Sequence, residues 1–257
     1  GARKPPVGIM KITDADGNIL EEYKEKEGQR VLDPQIAYLI TSILSDNGAR
    51  AFVFGARSYL TLPDRPVAAK TGTTQEFHDG WTMGYTPQLA VGVWVGNNDN
   101  SAMKPGADGS VVAAPIWNSF MKKATANLPA LQFKRPGDIR DIAVDKLSGK
   151  LPTDYTPETK PEIFASFALP EGYDDIHVPI KLDKTTLKPA AKDAPETSIV
   201  TRVYTIFHSE KPNEPAWENP VREWAQANGY AYPEGYTGED EGIGQAPIYI
   251  TLVEPAE

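Results

Sequence analysis

Lys70-Thr71-Gly72-Thr73-Thr74 places one cation, three hydroxyls and one bare backbone position in a stretch whose surroundings read as a β-strand. In an extended chain successive side chains point to opposite faces, so Lys70 takes one side and Thr71 and Thr73 the other. Gly72 clears the lysine face and lets a second backbone or a ligand approach closely. At a sheet edge this combination suits an extended ligand that ends in an acid. The ligand's main chain can pair with the strand's main chain. Lys70 and the hydroxyls can meet the carboxylate, and a free N–H can stabilise an oxyanion formed at a neighbouring carbonyl.

The other reactive residues carry less. Ser101–Lys104 and Ser119–Lys122 both fit S-x-x-K, but a pattern fixing two common residues recurs by chance in a chain of this length. Ser45-Asp46-Asn47 spells S-D-N at what reads as the end of a helix. His78 lies beside Asp79, but no G-x-S-x-G accompanies it. His177 and His208 stand isolated in the sequence and there is no cysteine, so nothing points to a zinc site or a disulfide. Asp14, Asp16 and Gly17 imitate a calcium loop, yet the glycine comes too early and no downstream glutamate completes it. Phosphate-binding glycine motifs are absent, so no cofactor is expected.

A net charge of −9 argues against a general nucleic-acid binder, which needs clustered lysine and arginine. No apolar run approaches the roughly 20 residues that a membrane helix requires. The opening, Gly1 to Met10, resembles neither a signal peptide nor an initiator segment and reads as the middle of a longer chain.

The elements that must position Lys70–Thr74 are well punctuated. Val7 to Tyr23 reads as two short strands around a turn at Asp14–Asn18. Asp33-Pro34 opens a helix, with Ile36, Leu39, Ile40, Ile43 and Leu44 on one face and Asn47-Gly48 as its stop. Val67–Thr74, Gly80–Tyr85 and Leu89–Asn97 read as strands, the last two as a tight hairpin. Ala113–Ala126 reads as a packing helix with Ala113, Ile116, Trp117, Phe120, Met121 and Ala124 on one side. The first half is therefore α+β.

Beyond Asn127 the character changes: 15 of the 23 prolines lie there and helical periodicity fades. Asp145–Glu158 and Asp183–Glu196 form a weak internal repeat. Ser198–His208 reads as a strand, Pro220–Tyr230 as a short helix and Ala246–Val253 as a final strand. This organisation suggests a first region over 1–126, a proline-rich linker over 127–197 and a small appended α+β segment over 198–257.

The motif run resembles the transpeptidase domain of the class A (bifunctional) penicillin-binding proteins. The resemblance extends from VLDPQIAYLITSILSDNGARAFVFG (Val31–Gly55), through RPVAAKTGTTQEFHDGWTMGYTPQLAVGVWVGNND (Arg65–Asp99), to AAPIWNSFMKKA (Ala113–Ala124). It implies part of a serine β-lactamase/transpeptidase-like fold, an antiparallel sheet packed by helices, followed by a proline-rich C-terminal extension. Such enzymes attack the D-Ala-D-Ala end of peptidoglycan stem peptides with a serine and pass the acyl group to a neighbouring amine. By that resemblance Lys70 sets the electrostatics of the site, and Thr71 and Thr73 bind the carboxylate of the substrate or of a β-lactam antibiotic. Gly72 and Thr74 flank the bound ligand, and the Thr73 N–H forms half of the oxyanion hole. The family's order is S-x-x-K, S-x-N, then K-T-G. The nucleophile is therefore expected before Gly1, and the chain is expected to be a fragment that does not acylate alone. A location on the extracytoplasmic side of the bacterial membrane, through an upstream anchor, is implied in the same way. The alternative is a non-catalytic module that captures peptide carboxylates on an edge strand.

Overall fold

The computed structural model describes residues 1–230 and 233–236, so the expected strand at Ala246–Val253 lies outside the described residues. The chain divides into two compact units, 1–140 with 163–168, and 141–162 with the residues from 169 onward. The first unit begins with small ribbons. Strand β1 (Ala2–Arg3) pairs with β4 (Gln29–Arg30), and β2 (Lys11–Thr13) pairs with β3 (Ile19–Glu22). The turn between β2 and β3 is held by Asp14, whose Oδ1 accepts from the amides of Asp16 and Asn18. Gly17 supplies the positive φ of 86° that the turn needs.

Helix α1 (Pro34–Ser45) starts as expected, with the Asp33 carboxylate accepting from Gln35 N at 2.7 Å and Pro34 in the first turn. It does not run to a stop at Gly48. Asp46 leaves the helix in an extended conformation and its side chain accepts from Ala49 N, which caps a second helix, α2 (Asn47–Phe54). Asn47-Gly48 is thus the start of a helix, because an aspartate N-cap two residues earlier overrides the glycine.

The centre of the unit is an antiparallel sheet in the order β5 (Ala68–Thr73), β6 (Asp79–Tyr85), β7 (Ala90–Gly96). Lys70 stands opposite Met83, Gly72 opposite Trp81, and Trp81 opposite Trp94. Helices α3 (Gly109–Val112) and α4 (Ala114–Thr125) cover one face. Trp117 and Met121 of α4 are fully buried with Leu60, Leu62, Val67 and Ala69. Gly84 permits this approach, since a Cβ there would lie 2.3 Å from the Trp117 ring. Helix α1 packs on the other face, where Thr41 Oγ1 and Tyr85 OH are 2.8 Å apart. One face of the sheet is thus covered by helices, while the other carries α1 beside β5 and is otherwise open at Trp81, Met83 and Trp94.

Two expected apolar faces are rotated or open. On α4 the buried side is Ala114, Trp117, Asn118, Met121 and Thr125, while Ile116 and Phe120 are exposed. On α1 Ile36, Ile40 and Ile43 are exposed, and Phe52 of α2 is 97% accessible. Ser166 belongs to this unit through its amide, which donates to the buried Gln35 Oε1 at 2.7 Å.

The second unit contains most of β8 (Arg140–Asp145) and β9 (Thr159–Phe164), which pair, and all of β10 (His177–Asp183), β11 (Ile199–Thr205) and α5 (Pro215–Ala227). Strands β10 and β11 pair antiparallel from His177–Thr205 to Asp183–Ile199. Ile180, Leu182, Ile206 and Tyr236 form its core. The stretch that composition suggested as a linker thus carries strands β8 to β10. Helix α5 begins five residues before Pro220, the residue at which the sequence suggested a start.

The internal repeat is a repeat of structure. After β8, Asp145 N donates to Lys150 O, Gly149 N to Asp145 O, and Lys146 N to Glu158 O. After β10, Asp183 N donates to Lys188 O, Leu187 N to Asp183 O, and Lys184 N to Ser198 O. Each aspartate also accepts from the amides two and three residues on. Gly149 takes φ 71° and Leu187 takes φ 56° at the matching position, so the turn dictates the conformation even without glycine.

Candidate functional site

Strand β5 is the terminal strand of its sheet, and its outer edge carries the Lys70–Thr74 motif. Which amides face outward follows from the register. Thr74 N donates inward to Asp79 O at 3.1 Å, and in an antiparallel pair the N–H and C=O of one residue point to the same side and alternate along the strand. Gly72 and Lys70 therefore pair with β6, whereas Thr71 and Thr73 turn their N–H and C=O groups away from it. Two contacts agree: the Arg50 guanidinium on α2 donates to Ala69 O at 3.2 Å, and Lys70 Nζ donates to Thr71 O at 2.6 Å. Arg50 caps the edge at Ala69; the amides of Thr71 and Thr73 lie beyond that cap.

The side chains separate as strand geometry requires. Lys70 is exposed on the face shared with Gly72, Trp81, Met83 and Trp94, all of them solvent-accessible. Thr71 and Thr73 lean to the face covered by α3. Thr73 Oγ1 accepts from Gly109 N at 3.1 Å, leaving its own proton to donate. Gly109 rests directly on the Gly72–Trp81 pair. A Cβ at this position would sit 2.3 Å from Trp81 O and 2.5 Å from Gly72 O, so only glycine lets α3 reach the strand. Asp108 caps α3 by accepting from the amides of Ser110 and Val111, and the buried Thr82 hydroxyl donates to Gly109 O at 3.2 Å.

Thr74 has a different neighbourhood. Its hydroxyl accepts from Asp79 N at 2.8 Å and donates to Asp79 Oδ2 at 3.3 Å, closing the loop after β5. The other oxygen of Asp79 accepts from Trp94 Nε1 at 2.6 Å. Glu76 and Phe77 in this loop hold φ 56° and 58°, a conformation costly for residues with side chains. Phe77 O accepts from Met103 N at 3.0 Å, and His78 Nδ1 lies 2.6 Å from Asn100 O, contacts that oblige the loop to keep that shape.

The remaining sequence candidates fall elsewhere. The Ser45 hydroxyl donates to Ser42 O at 3.2 Å and Asn47 Nδ2 to Ala56 O at 3.2 Å, both local roles around the α1–α2 junction. Ser101 Oγ donates to Asp99 in a loop, and Ser119 lies on α4. His177 and His208, isolated in the sequence, each meet carboxylates in the folded chain. The sequence reading passed over Gly109 and Arg50, which position the strand edge, and weighed Asp79 only as a partner of His78; the Asp108-Gly109-Ser110 start signal was the visible trace of the first.

Residues 1–122 match the family model described as the penicillin binding protein transpeptidase domain, and residues 135–179 match that described as the penicillin-binding protein 1A C-terminal domain. Over these two stretches the chain is similar to the C-terminal part of the class A penicillin-binding proteins. A penicillin-binding protein 1A from Clostridium botulinum is 32% identical over 200 residues, covering 76% of this chain and 24% of the relative. One from Rickettsia typhi is 38% identical over 144 residues, covering 56% of this chain and 18% of the relative. The crystal structure of penicillin-binding protein 1A from Haemophilus influenzae superposes with a TM-score of 0.56 at 23% identity, over 65% of this chain and 30% of that one, a likeness of fold. The chain spans about a quarter of the length of the Clostridium relative. Among the described residues no helix is long and apolar enough to cross a membrane.

Proposed function

We propose that this chain supplies the K-T-G wall of a peptidoglycan D,D-transpeptidase. The D-Ala-D-Ala end of a stem peptide, or a β-lactam in its place, lies along the outer edge of β5. Its main chain pairs with the outward groups of Thr71 and Thr73. Its terminal carboxylate is met by the Thr71 and Thr73 hydroxyls, with Gly72 giving it room and Lys70 supplying positive charge. The Thr73 N–H is one donor to the oxyanion formed when a serine attacks the penultimate carbonyl. Thr74 acts at one remove, by fixing the loop through Asp79. The serine, its S-x-x-K lysine and the S-x-N partner come from residues outside this chain, so the chain alone does not acylate. The whole protein works on the extracytoplasmic side of the membrane, where stem peptides are cross-linked.

The observation that carries this reading is the outward alternation of the Thr71 and Thr73 amides on a terminal strand beside an exposed Lys70. A fluorescent penicillin tests it, added to this chain and to the protein extended upstream. Covalent label is expected only on the extended protein, reduced by about 100-fold or more in Lys70→Met. An extended protein that takes no label, or a Lys70→Met variant labelled as fast as the parent, would contradict it.

A further inference from the structure

Three residues far apart in sequence meet in the interior of the second unit: Asp145 at the end of β8, Asp174, and His177 at the start of β10. Their side chains are 1%, 0% and 2% exposed. Each carboxylate has one oxygen fixed by two backbone amides. Asp145 Oδ2 accepts from Leu147 N and Ser148 N, and Asp174 Oδ1 accepts from Ile176 N and His177 N. The remaining oxygens converge on one ring nitrogen. His177 Nδ1 lies 2.6 Å from Asp174 Oδ2 and 3.6 Å from Asp145 Oδ1. Thr156 Oγ1 donates to Asp174 Oδ2 from the outside at 2.5 Å.

Charge does not balance. Two carboxylates and a neutral imidazole bury a formal charge of −2, and among the described residues no lysine or arginine forms an ion pair with any of the three. A doubly protonated ring would still leave −1. Asp145 Oδ1 is buried and has no hydrogen-bond partner among them. Such a group is costly unless something binds it.

The repeat shows that the turn does not demand this burial. Asp183 makes the same turn through the amides of Thr185 and Thr186, yet it is partly exposed and among the described residues it belongs to no cluster of three or more such side chains. Burial of Asp145 against His177 and Asp174 is therefore an addition to a working turn.

We propose that Asp145, Asp174 and His177 bind a divalent transition-metal cation such as Zn²⁺, which staples β8 to β10. Two carboxylate oxygens and one imidazole nitrogen form a donor set that suits this class of ion. A divalent charge cancels the two carboxylates. The amide pairs and the Thr156 hydroxyl already orient the ligands from behind, as outer partners do at metal sites. Bonds of about 2.1 Å need ligand atoms roughly 3 to 3.5 Å apart; the donor atoms here all lie within 4.8 Å of one another, so binding requires the His177–Asp174 contact to open and the cluster to close around the ion. The ion's role is structural, because the three ligands are sealed from solvent.

The full chain, stripped with a chelator and freed of it, is titrated calorimetrically with Zn²⁺ while its thermal unfolding is followed. One ion per chain and a rise in unfolding temperature are expected. Affinity should fall about 100-fold in Asp145→Asn and in His177→Gln, and hold in Asp183→Asn, which makes the same turn lesion away from the cluster. No stoichiometric binding, or binding that survives both substitutions, overturns the proposal. Should the variants not fold, Mn²⁺ added to the unaltered chain is expected to broaden the amide resonances of Leu147, Ser148, Ile176 and His177 first. Broadening that begins elsewhere overturns it equally.

Discussion

Replacing Gly109 by alanine should destabilise the first unit, although alanine is the better helix former. The added Cβ would sit 2.3 Å from Trp81 O and 2.5 Å from Gly72 O, where neither neighbour is a flexible side chain. Helix α3 must retreat, at a cost of about 1 to 3 kcal/mol for a forced backbone shift. The retreat weakens the Gly109 N–Thr73 Oγ1 bond, about 1 kcal/mol, and the Thr82–Gly109 O bond with it. Alanine's gain in helix propensity returns at most about 1 kcal/mol. The net loss is about 2 kcal/mol, or roughly 4 to 8 °C in the unfolding transition of a unit this size. Differential scanning calorimetry reads it directly. Gly137→Ala serves as the control, because nothing lies within 4 Å of a Cβ there and its φ is ordinary. In the upstream-extended protein the same substitution should slow labelling by penicillin, since Thr73 loses its support. A Gly109→Ala chain that melts at or above the parent temperature would refute the claim that this glycine seats α3 on the K-T-G strand.

Three further outcomes follow from the packing. Trp117→Ala should cost about 3 to 5 kcal/mol, because the indole is fully buried against Gly84 and its Nε1 donates to Val91 O, and equilibrium denaturation checks it. Asp46→Ala removes the α2 cap and should cost about 1 kcal/mol in the same assay, whereas an S-x-N role for the Ser45–Asn47 phrase would leave stability unchanged. Glu218 is buried, which pushes its carboxyl up, but the Ser209 amide, His208 and Arg222 outweigh burial and hold it at about 2 against an ordinary 4.5. A depressed carboxyl stabilises the fold fully above about pH 4.5 and loses that contribution as pH falls through about 2, a term of about 3 kcal/mol. Glu218→Gln should flatten the acid limb of the second unit's melting curve between those values, and an unchanged limb would contradict the assignment.

Much of the first unit was legible because its signals are local. Asp33-Pro34 starts a helix by its own chemistry, and the alternation in Gly80–Tyr85 and Ala90–Gly96 needs only a partner strand to become a sheet. The misreadings share one cause, namely competition settled by geometry. Asp46 and Gly48 both punctuate a chain, and the aspartate side chain won by reaching Ala49 N. Ile116 and Phe120 are as apolar as Trp117 and Met121, but Gly84 opens room for the indole alone and so fixes which side of α4 turns inward. The K-T-G edge was readable as a motif, whereas its supports Gly109 and Arg50 become neighbours only through folding. The same holds in the second unit, where His177 sits 32 positions beyond Asp145 (177 − 145) and no spacing rule joins them. Proline density disguised that unit as a linker, yet Pro161 lies within β9 and Pro179 within β10, and the turn aspartates Asp145 and Asp183 set the structure around them.

Amide hydrogen exchange, residue by residue along 70–74, bears most directly on the free edge of β5. Lys70, Gly72 and Thr74 should exchange slowly, because their N–H groups pair with β6, while Thr71 and Thr73 should exchange much faster and become protected when a β-lactam occupies the upstream-extended protein. Uniform protection across the five residues in the free chain, or slow exchange at Thr71 and Thr73 beside fast exchange at Gly72, would mean that the edge is turned the other way and has no amides to offer a ligand.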